Sequence, residues 1–79
     1  MEAATHAKRL TVLSSTIRAV TYDQHTATLD IEFHRGGIYR YAPVPLAVYE
    51  KFVLASSKGS FFDEHIKYAG YSYRKIAAS

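Results

Sequence analysis

The chain has 79 residues, no Cys, a formal net charge of +3 and a pI near 9.3. One small domain is therefore expected, with disulfides and thiolate metal sites excluded and hydrophobic burial or self-association left to stabilise it. No apolar run approaches the roughly 18–20 residues that span a bilayer, and the basic excess allows a polyanionic partner without demanding one.

Met1 to Arg9 is polar and Ala-rich and lacks the apolar core of a secretory signal. Residues 1–13 are expected to form a tail or a lead-in to the first strand, residues 14–76 the domain, and 77–79 a second tail. A cytoplasmic location is expected, in keeping with the missing Cys.

From Ile17 the spacing is mostly two. Ile17, Val20 and Tyr22 share a face only if a β-bulge absorbs the odd step between Ile17 and Val20. Asp23-Gln24-His25 reads as a turn. Leu29, Ile31 and Phe33 then alternate with Asp30, Glu32 and His34, the pattern of a strand with one wet face. Arg35-Gly36-Gly37 supplies a tight hairpin, and Ile38 to Ala42 returns. Pro43 and Pro45 close this sheet, and Pro45 suits the first turn of a helix.

Val48, Tyr49, Phe52, Val53 and Ala55 form an apolar stripe of helical period. Gly59 is expected to end that helix as its C′ residue, with Lys58 near the negative end of the dipole. Ser60, with Asp63 three positions on, reads as the cap of a second, short helix to about Tyr68. Tyr71 to Ile76 alternates again, as an edge strand or an ordered coil. The expected fold is α+β: a three-stranded antiparallel β-meander, an α-helix and a short second helix on one sheet face, and a possible C-terminal edge strand.

Several of these residues form a recognisable series. Ser15-x-Ile17, Tyr22-Asp23 and Leu29-x-Ile31-x-Phe33 are followed by Gly37-x-Tyr39-x-Tyr41-x-x-Val44-Pro45 and Val48-Tyr49. Ala55-x-Ser57-x-Gly59-x-Phe61-Phe62, Ile66 and a late Tyr complete it. In order and spacing this series resembles the KTSC domain, named for the C-terminus of some lysyl-tRNA synthetases. The resemblance implies a small α+β domain, found elsewhere also as a single-domain bacterial protein. It implies RNA binding only by association with the synthetase.

The residues themselves leave two function classes open. Tyr39 and Tyr41 lie two apart and share a strand face, with Arg40 opposite. That face is either a base-stacking platform or a seal against the helices, and the hairpin turn sets which. Phe61 and Phe62 point about 100° apart at a helix start, so at least one is expected to be exposed or covered by another layer; core and staple packing is the preferred reading, a partner-binding hot spot the alternative. Tyr71 and Tyr73 beside Arg74 and Lys75 fit nucleic-acid contact as well as a solvated edge. In the first class, an RNA-binding module for structured or single-stranded RNA, Arg35, Arg40, Lys58, Lys67, Arg74 and Lys75 contact phosphate. Tyr39, Tyr41, Tyr71 or Tyr73 stack on bases. The second class is a protein-interaction adaptor or homodimer using exposed aromatics or a sheet edge.

Ser56 to Ser60 is rich in donors, and the N–H groups after Ser60 with Lys58 could hold a phosphate; the segment lacks the spacing of a nucleotide-binding loop, and capping chemistry explains it with fewer assumptions. His6, His25, His34 and His65 form no metal-ligand spacing. Ser57, His65 and Asp63 make a triad on paper without a nucleophile elbow. Neither an enzyme, nor a cofactor, nor a metal site, nor a membrane partner is expected.

Overall fold

The computed structural model describes residues 7–78, so the expectation for the first six residues lies outside it. The sheet is five-stranded, and every strand pairs antiparallel with its sequence neighbour in the order β1-β2-β3-β4-β5. The strands are β1 (Ala7–Thr11), β2 (Ile17–Asp23), β3 (Thr28–Phe33), β4 (Ile38–Ala42) and β5 (Ser72–Ala77). Between β4 and β5 lie α1 (Leu46–Leu54), α2 (Lys58–Phe62) and a π-turn (Asp63–Lys67).

The three-stranded meander expected from the sequence is therefore corrected to five strands. β1 escaped because all five of its residues are exposed, so no alternation of apolar and polar positions marks it. Its place is fixed by backbone pairing alone, Leu10 opposite Val20 and Lys8 opposite Tyr22. β5 is likewise exposed along its whole length and pairs with β4 as a full edge strand.

The register between Ile17 and Ala19 shifts at a bulge, so Ile17, Val20 and Tyr22 are all buried. Leu29 pairs with Tyr41 and Ile31 with Tyr39, which puts both tyrosines on the apolar face of β3. That face carries the core of Ile17, Val20, Tyr22, Leu29, Ile31 and Tyr41, closed by Phe52, Phe62 and Ile66 from the helical segment. The opposite face is polar, with Arg9 bridging Glu32 and Arg40 bridging Asp30, each N–O pair at 2.8 Å.

The junction from sheet to helix turns on two prolines. Val44 lies between them and is fully buried. Its N–H donates to the Ala27 carbonyl at 2.7 Å, and its carbonyl accepts from the Tyr22 hydroxyl. The Pro45 carbonyl accepts from the N–H groups of Val48 and Tyr49, which starts α1.

α1 stops at Leu54, one turn earlier than Gly59 implied, and the Ala55 carbonyl accepts a 3.0 Å hydrogen bond from Lys58 Nζ. Gly59 sits inside α2. Ser57, not Ser60, caps α2, its hydroxyl accepting from the Ser60 N–H. Two serines three apart offer the same capping chemistry, and the early end of α1 gives the role to the first. No helix among the described residues is long and apolar enough to cross a membrane.

Candidate aromatic cleft

On the helix-covered side, where β4 and β5 run past the helical segment, the sheet opens into a cleft of about 460 Å³. Its lining comes from five parts of the chain: Phe33 at the end of β3, Arg35 and Gly36 in the hairpin turn, Tyr39 and Tyr41 on β4, Lys67-Tyr68 at the end of the π-turn, and Tyr73 on β5.

The register builds this wall. Tyr41 faces Tyr73 across the β4–β5 ladder, and Tyr39 faces Lys75. The Tyr41 and Tyr73 rings stack at 5.4 Å with 26° between planes, and Tyr39 lies 6.2 Å from Tyr73. Such offset and tilted pairs suit the ring quadrupoles. Beneath them Phe62 meets the edges of Phe33 and Tyr41 at 5.6 and 5.4 Å.

Exposure separates floor from walls. Tyr41 is 4% exposed and belongs to the core, and burial pushes its phenol up to about 12. Tyr39 is half-buried. Tyr73 is 61% exposed and Tyr68 is 74% exposed. The last two rings keep most of their surface open to solvent.

The π-turn sets the position of Tyr68. It follows α2 directly, with the Asp63 N–H shared between the carbonyls of Gly59 and Ser60. Ile66 is anchored in the core, and Lys67 and Tyr68 follow it at the cleft. Widened turns of this kind are frequent at functional sites. Lys67 Nζ lies 5.2 Å from the centre of the Tyr68 ring, which keeps a cation beside an exposed aromatic face.

Gly37 brings a further cation near. Its φ is +98°, and a Cβ there would collide with the Ala77 carbonyl and stand 2.7 Å from Lys75 Cε. The Lys75 side chain thus runs beside the hairpin turn that also carries Arg35.

Of the residues singled out in the sequence, the fold brings Tyr39, Tyr41, Tyr73 and Lys67 into one cleft, with Arg35. Lys75 shares that face by register. Arg40 and Arg74 face each other on the other side of the sheet, where Arg40 is held by Asp30 through two hydrogen bonds of 2.8 and 3.0 Å. Lys58 is engaged at the end of α1, and Tyr71 packs partly buried against the core. Tyr68 and Phe33 complete the lining. Tyr68 had no sequence signal, since its place depends on the π-turn.

The serine-rich segment forms a separate groove of about 330 Å³ with Ser14, Ser15 and Thr16. Its groups largely satisfy one another: Ser14 Oγ accepts from the N–H groups of Thr16 and Ile17, and the Ser57 hydroxyl donates to Ser60 Oγ. His65 rests on the Phe61 ring at 4.5 Å, and its Nε2 lies 3.8 Å from Glu64. Among the described residues no group of three or more His, Cys, Asp or Glu could hold a metal ion.

The family model described as the KTSC domain matches residues 13–73. An uncharacterized protein of Stutzerimonas stutzeri is 36% identical over 69 residues, which is 87% of this chain and 97% of that protein. The lysine–tRNA ligase of a Nostoc species is 47% identical over 53 residues, covering 67% of this chain but 9% of the ligase. The crystal structure of a KTSC domain protein from Yersinia pestis superposes with a TM-score of 0.84 at 40% identity, over 89% of this chain and 97% of that one.

Proposed function

The chain belongs to the KTSC domain family, and from that premise we propose that it is a binding module for single-stranded RNA that acts through the tyrosine cleft and without catalysis. The observation that carries this reading is the meeting of exposed Tyr68 and Tyr73 with Arg35 and Lys67 in one cleft. Exposed rings offer sequence-tolerant stacking, and adjacent cations offer phosphate contacts. In a duplex the base faces are already stacked, so unpaired bases fit this cleft better. Among the described residues, the lining contains no carboxylate, imidazole or thiol to serve as base or nucleophile. The ligase relative supports the choice of RNA, because its name places a similar segment in an enzyme that acts on tRNA.

The test is an NMR titration of labelled protein with a short single-stranded RNA and with a duplex of the same length, between about 50 and 200 mM salt. Shifts are expected at Tyr39, Lys67, Tyr68 and Tyr73, larger for the single strand and weakened by salt. No shifts, or shifts confined to the Arg40–Arg74 face, would overturn the reading, the first outcome favouring a protein partner.

A further inference from the structure

We infer that the unit recognised by the cleft is one unpaired nucleotide together with both of its flanking phosphates, an inference that rests on the single-strand reading above. Three observations lead there. The cleft, at about 460 Å³, lies toward the small end of the roughly 300–1,000 Å³ range of ligand sites. Only two of its lining rings are largely exposed, Tyr68 and Tyr73, since Tyr41 is buried and Phe33 and Tyr39 are half-buried. Two open rings offer stacking surface for a single base, and a run of bases would need further platforms along the strand.

The third observation concerns charge. The two cations in the lining come from different elements, Arg35 from the β3–β4 turn and Lys67 from the end of the π-turn. Lys75 lies beside the first of these, its Cε close to Gly37. An internal nucleotide of a strand carries a phosphate on either side of its sugar. In the arrangement inferred, the base rests on the exposed rings, one phosphate meets the Arg35–Lys75 side and the other meets Lys67. Arg35 supplies a planar fork and Lys67 a point charge, and neither has an acidic partner among the ion pairs of the described residues.

The test is a ladder of ligands measured by NMR or calorimetry: adenosine, adenosine 5′-monophosphate, adenosine 3′,5′-bisphosphate and a single-stranded oligoadenylate. Affinity is expected to rise about tenfold with each phosphate, as one charge-assisted contact gives, and then to level off. The bisphosphate affinity should fall as salt rises, and more steeply than that of the monophosphate, since more phosphate charge is engaged. Lys67→Gln should remove the gain from one phosphate and Arg35→Gln the gain from the other.

A bisphosphate that binds no better than the monophosphate, or two variants that lose the same phosphate, would overturn the inference. If the oligonucleotide still shifted Tyr68 and Tyr73 in that case, the single-strand reading would stand alone. If no member of the ladder bound, both would fall.

Discussion

The Tyr22 hydroxyl donates a 2.6 Å hydrogen bond to the carbonyl oxygen of Val44, across 22 residues of chain. It fastens the second strand to the point where the sheet gives way to α1. The same ring stacks on Tyr49 of that helix at 4.4 Å with 8° between planes. Tyr22→Phe keeps the stack and leaves the buried Val44 carbonyl without this donor. The expected cost is about 1–3 kcal/mol, read as a lower urea midpoint at unchanged slope.

Phe62 sets a harder limit. It is 2% exposed and touches both Phe33 and Tyr41 under the cleft. Phe62→Ala is expected to cost about 3–5 kcal/mol, a large part of what a domain of this size holds. Thermal unfolding should shift far down, or the folded state should be lost. Phe61, half-buried against Phe52 at 6.1 Å, should tolerate the same change better.

Tyr68 is expected to behave in the opposite way. Being largely exposed, it should be replaceable by Ala with little change in melting temperature. Loss of one stacked base should lower RNA affinity by about 1–3 kcal/mol, roughly 5- to 150-fold. Arg74→Ala, on the far face of the sheet, should leave that affinity nearly intact. Fluorescence anisotropy with a labelled single strand measures both.

Much of this architecture was legible in the chain, and the gaps have physical causes. The alternation of Leu29, Ile31 and Phe33 marks a strand because one of its faces is buried, and Gly36-Gly37 marks its turn. β1 has no buried side chain, so nothing in its composition separates it from a tail. The face of Tyr39 and Tyr41 depends on register, which places Tyr41 opposite Leu29 and sends both rings to the apolar side. For Tyr41 the outcome is packing against the helical segment, while Tyr39 both packs against the core and lines the cleft. Arg40 and Arg74 were indistinguishable from Lys67 by residue type. Strand parity set the first two apart from the cleft, and only the π-turn brought the third to it.

The two hairpin glycines should differ. Gly36 and Gly37 both have positive φ, +101° and +98°. A Cβ on Gly36 meets open space, whereas one on Gly37 collides with the Ala77 backbone. Gly36→Ala should show strain alone, of order 1–3 kcal/mol. Gly37→Ala should cost more and also loosen β5, visible as faster amide exchange in Ser72 to Ala77. Equal losses in the two variants would contradict the close approach.

The pH dependence has a definite sign. Burial raises the phenol of Tyr41 to about 12 and shifts those of Tyr22 and Tyr49 in the same direction. An unfolded tyrosine ionises near 10. Below that value both states keep the proton, and the full stability is present. As pH rises from about 10 to 12, the unfolded state ionises first and stability falls, until Tyr41 ionises in the native state as well. Tyrosinate absorbance in the native protein should therefore develop late for these three rings, and denaturation midpoints should decline over the same interval.

The order of the strands has one more consequence. Three of the four ladders join strands separated by short turns, and each can zip as soon as its own segment is made. The fourth must wait for α1, α2 and the π-turn, which fill the chain between Ala42 and Ser72. Loop-closure entropy makes that pairing the most expensive to initiate. Tyr73 and Lys75 ride on this last strand, so the cleft is whole only once the final ladder has closed. On the RNA-binding reading proposed above, readiness to bind would follow the closing of this ladder, and a ligand held by Tyr73 would favour its closed state.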